Sequence, residues 1–394
     1  MNQGTSYGNA VDFTDGDNFW NNTSNLDNYA TDAHWGAEMT YDYFFSMFNR
    51  NSIDGNGFAL VSYVHYGNNY SNAFWDGQRM TYGDGNSNPF TALDIAGHEI
   101  THGLTNFTAN LVYQNESGAL NESFSDIFGV AIEWYARPGN ANWTMGEDIG
   151  GIRSISTPNN YGDPDTYGGT YWYTGTADNG GVHINSGVQN HWFYILSQGK
   201  AGTNDLGDTY SVTGLGMNDA AAVAFRNLTV YLTNSSDYAD ARFYAIQSAE
   251  DLFGGCSPEE FSTANAWYAV GVGDVFSPVV TADFTVDLPN GCSAPHTVNF
   301  ESLSNNANSY TWNFGDGTTG TGATPTHTYS NFGTYDVSLT VDGGSCGTDA
   351  QTKPNYIDVD SNNPCVSIMP ADGVGPTVTA VSYTHLRAHE TRRY

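Results

Sequence analysis

The chain has 394 residues, room for two or three domains, and carries a formal net charge of −31. Only two lysines occur, Lys200 and Lys353, and so acidic a chain argues against nucleic acid or anionic membranes as partners. Aromatic residues make up 14% of it, too many for a disordered acidic chain, and no apolar run approaches the ~20 residues of a membrane span.

In chain order, residues 1–30 are polar, with Phe19 and Trp20 as anchors. Thr31 and Asp32 are placed to cap a helix that runs to about Arg50. Strand-like stretches follow at 59–66 and 72–82. A helix is expected after Pro89-Phe90-Thr91, with Asp94 in its first turn, and a second over 119–136. Residues 137–185 are loop-rich, with Gly-Asp-Pro and Asp-Asn-Gly turn signals. Helical periodicity then dominates 187–197, 219–232, 239–253 and 258–270. An α/β half followed by a helical half puts a cleft between them. Near Ser277-Pro278 the pattern changes to strand alternation, at 282–286, 296–300, 309–314 and 335–341, with turns at sandwich-like spacing.

Four cysteines are present, Cys256, Cys292, Cys346 and Cys365, none in a C-x-x-C pattern. Cys292 and Cys346 both fall in the strand-rich part and are a possible pair, or both are free; the sequence leaves the connectivity open.

The segment His98-Glu99-Ile100-Thr101-His102 carries the chemistry. Two histidines four apart on a helix share one face, roughly 6 Å apart along the axis. Both imidazoles then reach one ion. A catalytic zinc takes three protein ligands and keeps one position open. Glu122 can be the third ligand, from a second helix, with nineteen residues separating it from His102. Glu99 is then placed as general base toward an activated water. Asp126, one turn after Glu122, can accept from the other ring nitrogen of His98.

With these residues on the page, the stretch from about 30 to 275 resembles the thermolysin-like neutral metallopeptidases. Asp32-Ala33-His34, Tyr41-Asp42-Tyr43, Asn72-Ala73-Phe74-Trp75, Tyr113-Gln114-Asn115-Glu116-Ser117-Gly118-Ala119 and Gly180-Gly181-Val182-His183-Ile184-Asn185-Ser186-Gly187 match in order. The resemblance implies that His98, His102 and Glu122 ligate zinc and that Glu99 is the catalytic carboxylate. It implies that His183 and Tyr113 donate to the developing oxyanion, with Asp178 orienting His183. Asn72, the Ala73 backbone and Arg153 would hold the substrate's peptide groups. Phe90, Ile95, Met145 and Ile152 would line the subsite after the cleaved bond, favouring bulky apolar side chains. Asp94, Glu133 and Glu147 match carboxylates that bind structural calcium, although Asn142 stands where the family usually has an aspartate. Asp15 and Asp17 are candidates for another calcium. His65 and His191 read as structural.

Trp312-Asn313-Phe314-Gly315-Asp316-Gly317, with His327-Thr328-Tyr329 and Gly333-Thr334-Tyr335, resembles the polycystic-kidney-disease (PKD) repeat of secreted bacterial hydrolases. The expected fold class is therefore α+β. A thermolysin-like two-lobed peptidase over 1–276, its N-terminal β/α lobe truncated, precedes an Ig-like β-sandwich over 279–360. Residues 361–380 read as a linker or the start of a further segment. Residues 381–394, including His385 and His389, resemble translated sequencing adapter and are expected to be foreign.

The expected protein is a secreted monomeric zinc endopeptidase acting on proteins or peptides, with its signal peptide and inhibitory propeptide outside the given residues. The rival reading is a catalytically inactive metallopeptidase-fold adhesin or binding module. That every catalytic position is filled argues against it.

Overall fold

The computed structural model describes residues 3–15, 19–20, 27–86 and 88–364. Asp17, Cys365, the end of the 361–380 segment and the whole 381–394 tail lie outside the described residues.

Helix α1 (Asp27–Phe48) buries Ala33, Gly36, Ala37, Thr40, Tyr43 and Phe44, a stripe at three- and four-residue spacing. Thr31 lies inside this helix, its hydroxyl donating to the Asn28 carbonyl at 2.8 Å. It does not cap the helix, as the sequence had suggested. The first strand-like stretch yields only β1 (Ser62–Tyr63). The second folds into a hairpin of β2 (Ala73–Trp75) and β3 (Met80–Tyr82). These make a sheet of order β1-β3-β2, with β1 parallel to β3.

Helix α2 (Leu93–Asn106) is almost wholly buried. Helix α3 (Asn115–Ala136) starts four residues before the expected position. Its first turn, Asn115-Glu116-Ser117, is polar and incompletely buried, so it adds nothing to the apolar periodicity. Two glycines let α2 and α3 meet. A Cβ on Gly97 would fall 2.9 Å from Ile132 Cδ1 and 3.2 Å from Gly129 Cα, and one on Gly129 would fall 2.5 Å from the Asp94 carbonyl oxygen. That close approach brings Glu122 of α3 up to the histidines of α2.

A short ribbon of β4 (Thr144–Met145) and β5 (Arg153–Ser154) follows. Helix α4 (Asp178–Asn185) opens with four left-handed residues, Asp178 to Gly181, with φ of 51°, 50°, 90° and 80°. Helix α5 (Gly187–Gln198) follows. The hairpin of β6 (Lys200–Thr203) and β7 (Thr209–Val212) had no sequence expectation. Helix α6 (Met217–Arg226) runs into a π turn at Asn227–Tyr231. Helix α7 (Tyr238–Phe253) starts at an Asp237/Asp240 capping box. Helix α8 (Pro258–Ala269) starts at Ser257, whose side chain accepts the Glu260 N–H. One continuous core unites these helices, with Trp192 and Trp267 stacked at its centre.

From Phe284 the described elements are strands, apart from one 3-10 turn at Gly344–Cys346: β8 (Phe284–Val286), β9 (Asn290–Gly291), β10 (His296–Ser302), β11 (Ser309–Asn313), β12 (Thr319–Thr321), β13 (Thr326–Tyr329), β14 (Gly333–Asp342) and β15 (Thr348–Val359). They form sheets of order β13-β10-β8 and β12-β11-β14-β15-β9. Alternating inward residues give a separate core with Trp312, Phe284, Phe300 and Tyr329 at its heart. Trp312 satisfies its indole N–H on the Gly322 carbonyl at 2.8 Å.

A disulfide joins Cys256, just before α8, to Cys346 between β14 and β15. This corrects the suggested Cys292–Cys346 pair; Cys292 is also disulfide-bonded, and no described cysteine is free. The pairing links the two cores, which sequence spacing could not reveal.

The few described cations are all engaged. Arg79, Arg137, Arg153, Arg226 and Lys353 sit on carboxylates, Lys200 on His191, and Arg50 and Arg242 on backbone carbonyls. Among the described residues no helix is long and apolar enough to cross a membrane.

Candidate active site

Helix α2 presents His98, Glu99 and His102, and α3 presents Glu122, to a cavity of about 450 Å³. His98 Nδ1 bonds Asp126 Oδ1 at 2.8 Å, and His102 Nδ1 bonds Asn121 Oδ1 at 2.7 Å. Both partners are acceptors, so each ring carries its proton on Nδ1 and a lone pair on Nε2. The two Nε2 atoms are 3.1 Å apart. Glu122 Oε1 lies 3.4 Å from His102 Nε2, and its Oε2 lies 3.6 Å from His98 Nε2. Glu122 is 1% exposed and its Oε2 has no hydrogen-bond partner. Opposed lone pairs beside an orphaned buried carboxylate oxygen are unfavourable unless a cation joins them. The residues therefore fit a divalent metal with nitrogen and oxygen donors. This is the one trio of His, Cys, Asp or Glu among the described residues whose donor atoms gather within 4.8 Å.

Burial alone would raise the Glu122 carboxyl, but His102, His98, His183 and Arg153 hold it down to about 2. Burial lowers His102. On His98 burial is overcome by the Asp126 carboxylate, which raises the ring. Asp126 is itself held far below the usual carboxylate range against its burial, chiefly by Arg153 and His98. Arg153 clasps it with Nε at 2.8 Å from Oδ2 and Nη2 at 2.6 Å from Oδ1.

Across the cavity, the Tyr113 hydroxyl donates to Glu122 Oε1 and lies 3.1 Å from His183 Nε2. Burial and the Glu122 charge raise the Tyr113 phenol far above its usual range, so it stays a donor. Asp178 holds His183 twice, accepting Nδ1 at 2.6 Å and the backbone N–H at 2.9 Å. The left-handed turn makes that possible by curling the α4 N-terminus back on itself; two of its four residues are glycine, which carries positive φ without strain. His183 is thus on a short helix, where the sequence suggested a loop.

Asn72, Ala73, Phe90, Ile95, Met145, Ile152 and Arg153 all line the same cavity, with Phe74, Trp75, Asn106 and Leu111. Asn121 was missed as a partner of His102. The signal was available: each histidine needs an acceptor on its second nitrogen, and only that of His98 had been sought.

The carboxylates expected to hold calcium are not gathered so tightly. Asp94 is buried and pushed up to about 7 by burial and by Glu147, while its Oδ2 accepts the Gly146 N–H. Glu133 is pushed up to about 8 by burial, Asp94 and Glu147. One Glu133 oxygen takes the Arg137 guanidinium; its Oε2 and Glu147 Oε2 are buried without a partner.

The model of the thermolysin metallopeptidase catalytic domain matches residues 1–106, and that of the thermolysin metallopeptidase alpha-helical domain matches 109–272. The solved precursor of protealysin, a metalloproteinase from Serratia proteamaculans, aligns with a TM-score of 0.58 and 31% identity, covering 69% of this chain and 85% of that one. The chain belongs to the thermolysin family of metallopeptidases. Family relatives include bacillolysin of Bacillus cereus, 47% identical over 271 residues, which are 66% of this chain and 46% of that protein. Thermolysin of Alicyclobacillus acidocaldarius subsp. acidocaldarius is 46% identical over 271 residues, 66% of this chain and 48% of that protein. The chain thus spans about half the length of these relatives. Beyond the family region, the PKD domain model matches residues 275–359.

Proposed function

We propose that this chain is a zinc endopeptidase, with His98, His102 and Glu122 as the zinc ligands. The observation that carries the reading is the facing pair of Nε2 lone pairs beside the orphaned Glu122 oxygen, with Glu99 in the same cavity. Zinc would supply Lewis-acid polarisation of the scissile carbonyl and of the attacking water. Glu99 accepts the proton that water loses as its oxygen attacks the carbonyl carbon. It returns that proton to the amine nitrogen as the C–N bond breaks. Tyr113 O–H and His183 Nε2–H donate to the oxygen that gains charge. Arg153, Asn72 and the Ala73 backbone hold neighbouring peptide groups. Phe90, Ile95, Met145 and Ile152 give the subsite after the cleaved bond an apolar wall, so bulky apolar residues are favoured there.

Calcium is proposed as a structural ion beside Asp94, Glu133 and Glu147, whose mutual repulsion a hard cation relieves. A disulfide across the molecule supports secretion into an oxidising compartment. The relationship to a protealysin precursor supports an inhibitory propeptide, and the peptidase is proposed to act as a monomer.

The test is zinc content and casein cleavage of the activated protein, with and without a chelator. One zinc per chain and cleavage abolished by the chelator and restored by zinc are expected. A zinc-free protein, or chelator-resistant cleavage, removes the reading.

A further inference from the structure

Behind the candidate site runs a line of buried hydrogen bonds that none of the proposed steps uses. Ser123 Oγ donates to Asn190 Oδ1 at 2.8 Å, and Asn190 Nδ2 donates to Asp126 Oδ2 at 2.8 Å. None of the three residues is more than 1% exposed. Ser123 and Asp126 lie one turn apart on α3, whereas Asn190 comes from α5, the helix that follows His183. The Asn190 amide has one workable orientation. Turned over, its carbonyl would oppose the Asp126 carboxylate, so the Ser123 donor and the Asp126 acceptor fix it from both sides.

Asp126 is a junction. Its Oδ1 receives His98 Nδ1 and Arg153 Nη2; its Oδ2 receives Arg153 Nε and Asn190 Nδ2. His98 is a proposed metal ligand and Arg153 a proposed substrate contact. Asn190 is the one donor with no such duty. Without it, the carboxylate and the guanidinium clasping it can pivot as a unit, and the His98 ring follows. We propose that Asn190, oriented by Ser123, is a positioning residue that aims the His98 ring at the metal and the Arg153 fork at the substrate together. This rests on the zinc-peptidase reading above.

The prediction is a coupled one: loosening Asn190 weakens metal retention and substrate binding at once. A role confined to packing would move neither. In the zinc-loaded full chain, Asn190→Leu should raise the zinc dissociation constant, measured by competition with a chelator, by about tenfold. KM for a short peptide should rise several-fold, on the order of the change for one lost hydrogen bond, with kcat falling less. Ser123→Ala should shift both quantities the same way by a smaller factor. The double variant should be no worse than Asn190→Leu alone, because one line of bonds is being cut twice.

Folded variants with zinc affinity and KM both within about twofold of wild type would overturn the proposal, as would a lowered melting temperature with both unchanged. Additive effects of the two substitutions would overturn it as well. If Asn190→Leu does not fold, Ser123→Ala decides by the same two measurements. A wild-type chain that takes up no zinc would sink the underlying reading and this proposal with it. A zinc-binding wild type with equally tight variants would remove only the role given to Asn190.

Discussion

The two glutamates beside the histidines are proposed to have separable duties, and substitution should part them. Glu99→Gln keeps the shape but cannot accept a proton, so peptide hydrolysis should fall by roughly 10²–10⁴-fold while zinc stoichiometry stays near wild type. Retention of most activity would remove Glu99 from its role. Glu122→Ala should lose the metal itself, leaving the two facing imidazole nitrogens without their third donor. A buried base elsewhere should contribute to acid sensitivity. Burial, with the Lys200 ammonium 2.9 Å from its Nε2, lowers His191 to about 3. Its folded-state value lies below the unfolded one of about 6.5. The unfolded chain therefore binds a proton first, and stability declines as pH falls from about 6.5 toward 3. Denaturant titrations across that window should show His191→Gln with a flatter acid limb; parallel limbs would show that the cause lies elsewhere.

At the scale of elements, the meeting of α2, α3 and β4 concentrates charge as well as donors. Asp94 and Glu133 have folded-state values raised to about 7 and about 8. The unfolded chain releases these protons earlier, so without a divalent cation stability should decline as pH climbs from about 4 through 8. Calcium binds the deprotonated carboxylates and should reverse that trend. Melting temperatures of zinc-saturated protein at pH 5 and pH 8, with and without calcium, provide the check; a calcium effect equal at both values would contradict it. How far these elements could be read in advance follows from their physics. Helix α2 was legible because its periodicity, start signal and paired histidines agree. The start of α3 was not, since polar residues at a helix N-terminus are satisfied locally and carry no burial pattern. The β6–β7 hairpin alternates weakly and is mostly exposed. Asp126 was found from the need of one imidazole for an acceptor. Asn121 and Asn190 were not, because asparagine has no fixed role until a partner faces it.

For the whole molecule, the Cys256–Cys346 bond changes what the β-sandwich can do. Sequence alone pictured two modules meeting near Ser277-Pro278, and the proposed catalytic residues do lie ahead of Ser277. The disulfide closes a loop with a sequence separation of 90 residues, and Phe276 packs edge-on against Phe261 of α8. The sandwich is therefore tethered covalently to the helical half. Replacing both cysteines with serine should broaden the solution-scattering profile and lower stability by up to about 4.6 kcal/mol, the loop-entropy value for such a span. Turnover of a short peptide should stay within a few-fold. An unaltered profile would mean that noncovalent contacts alone hold the dock, and loss of short-peptide turnover in a folded variant would tie the sandwich to catalysis. The pairing was beyond sequence reading because it depends on how two separate cores are juxtaposed.

The engagement of every described lysine and arginine has a consequence for encounters between copies. With the described lysines and arginines all paired and a formal net charge of −31 on the chain, each molecule carries a strong negative charge. Self-digestion needs one copy to deliver a strand into another's cleft, and like-charged bodies meet more rarely than neutral ones. The barrier lies in the approach and thins as ions shorten its reach, from about 30 Å at 0.01 M salt to about 3 Å at 1 M. The second-order rate of self-cleavage should therefore climb with ionic strength, while cleavage of an uncharged peptide under the same conditions should hardly change. On the proposed peptidase reading, molecules kept apart by fresh water would lose that protection in brine.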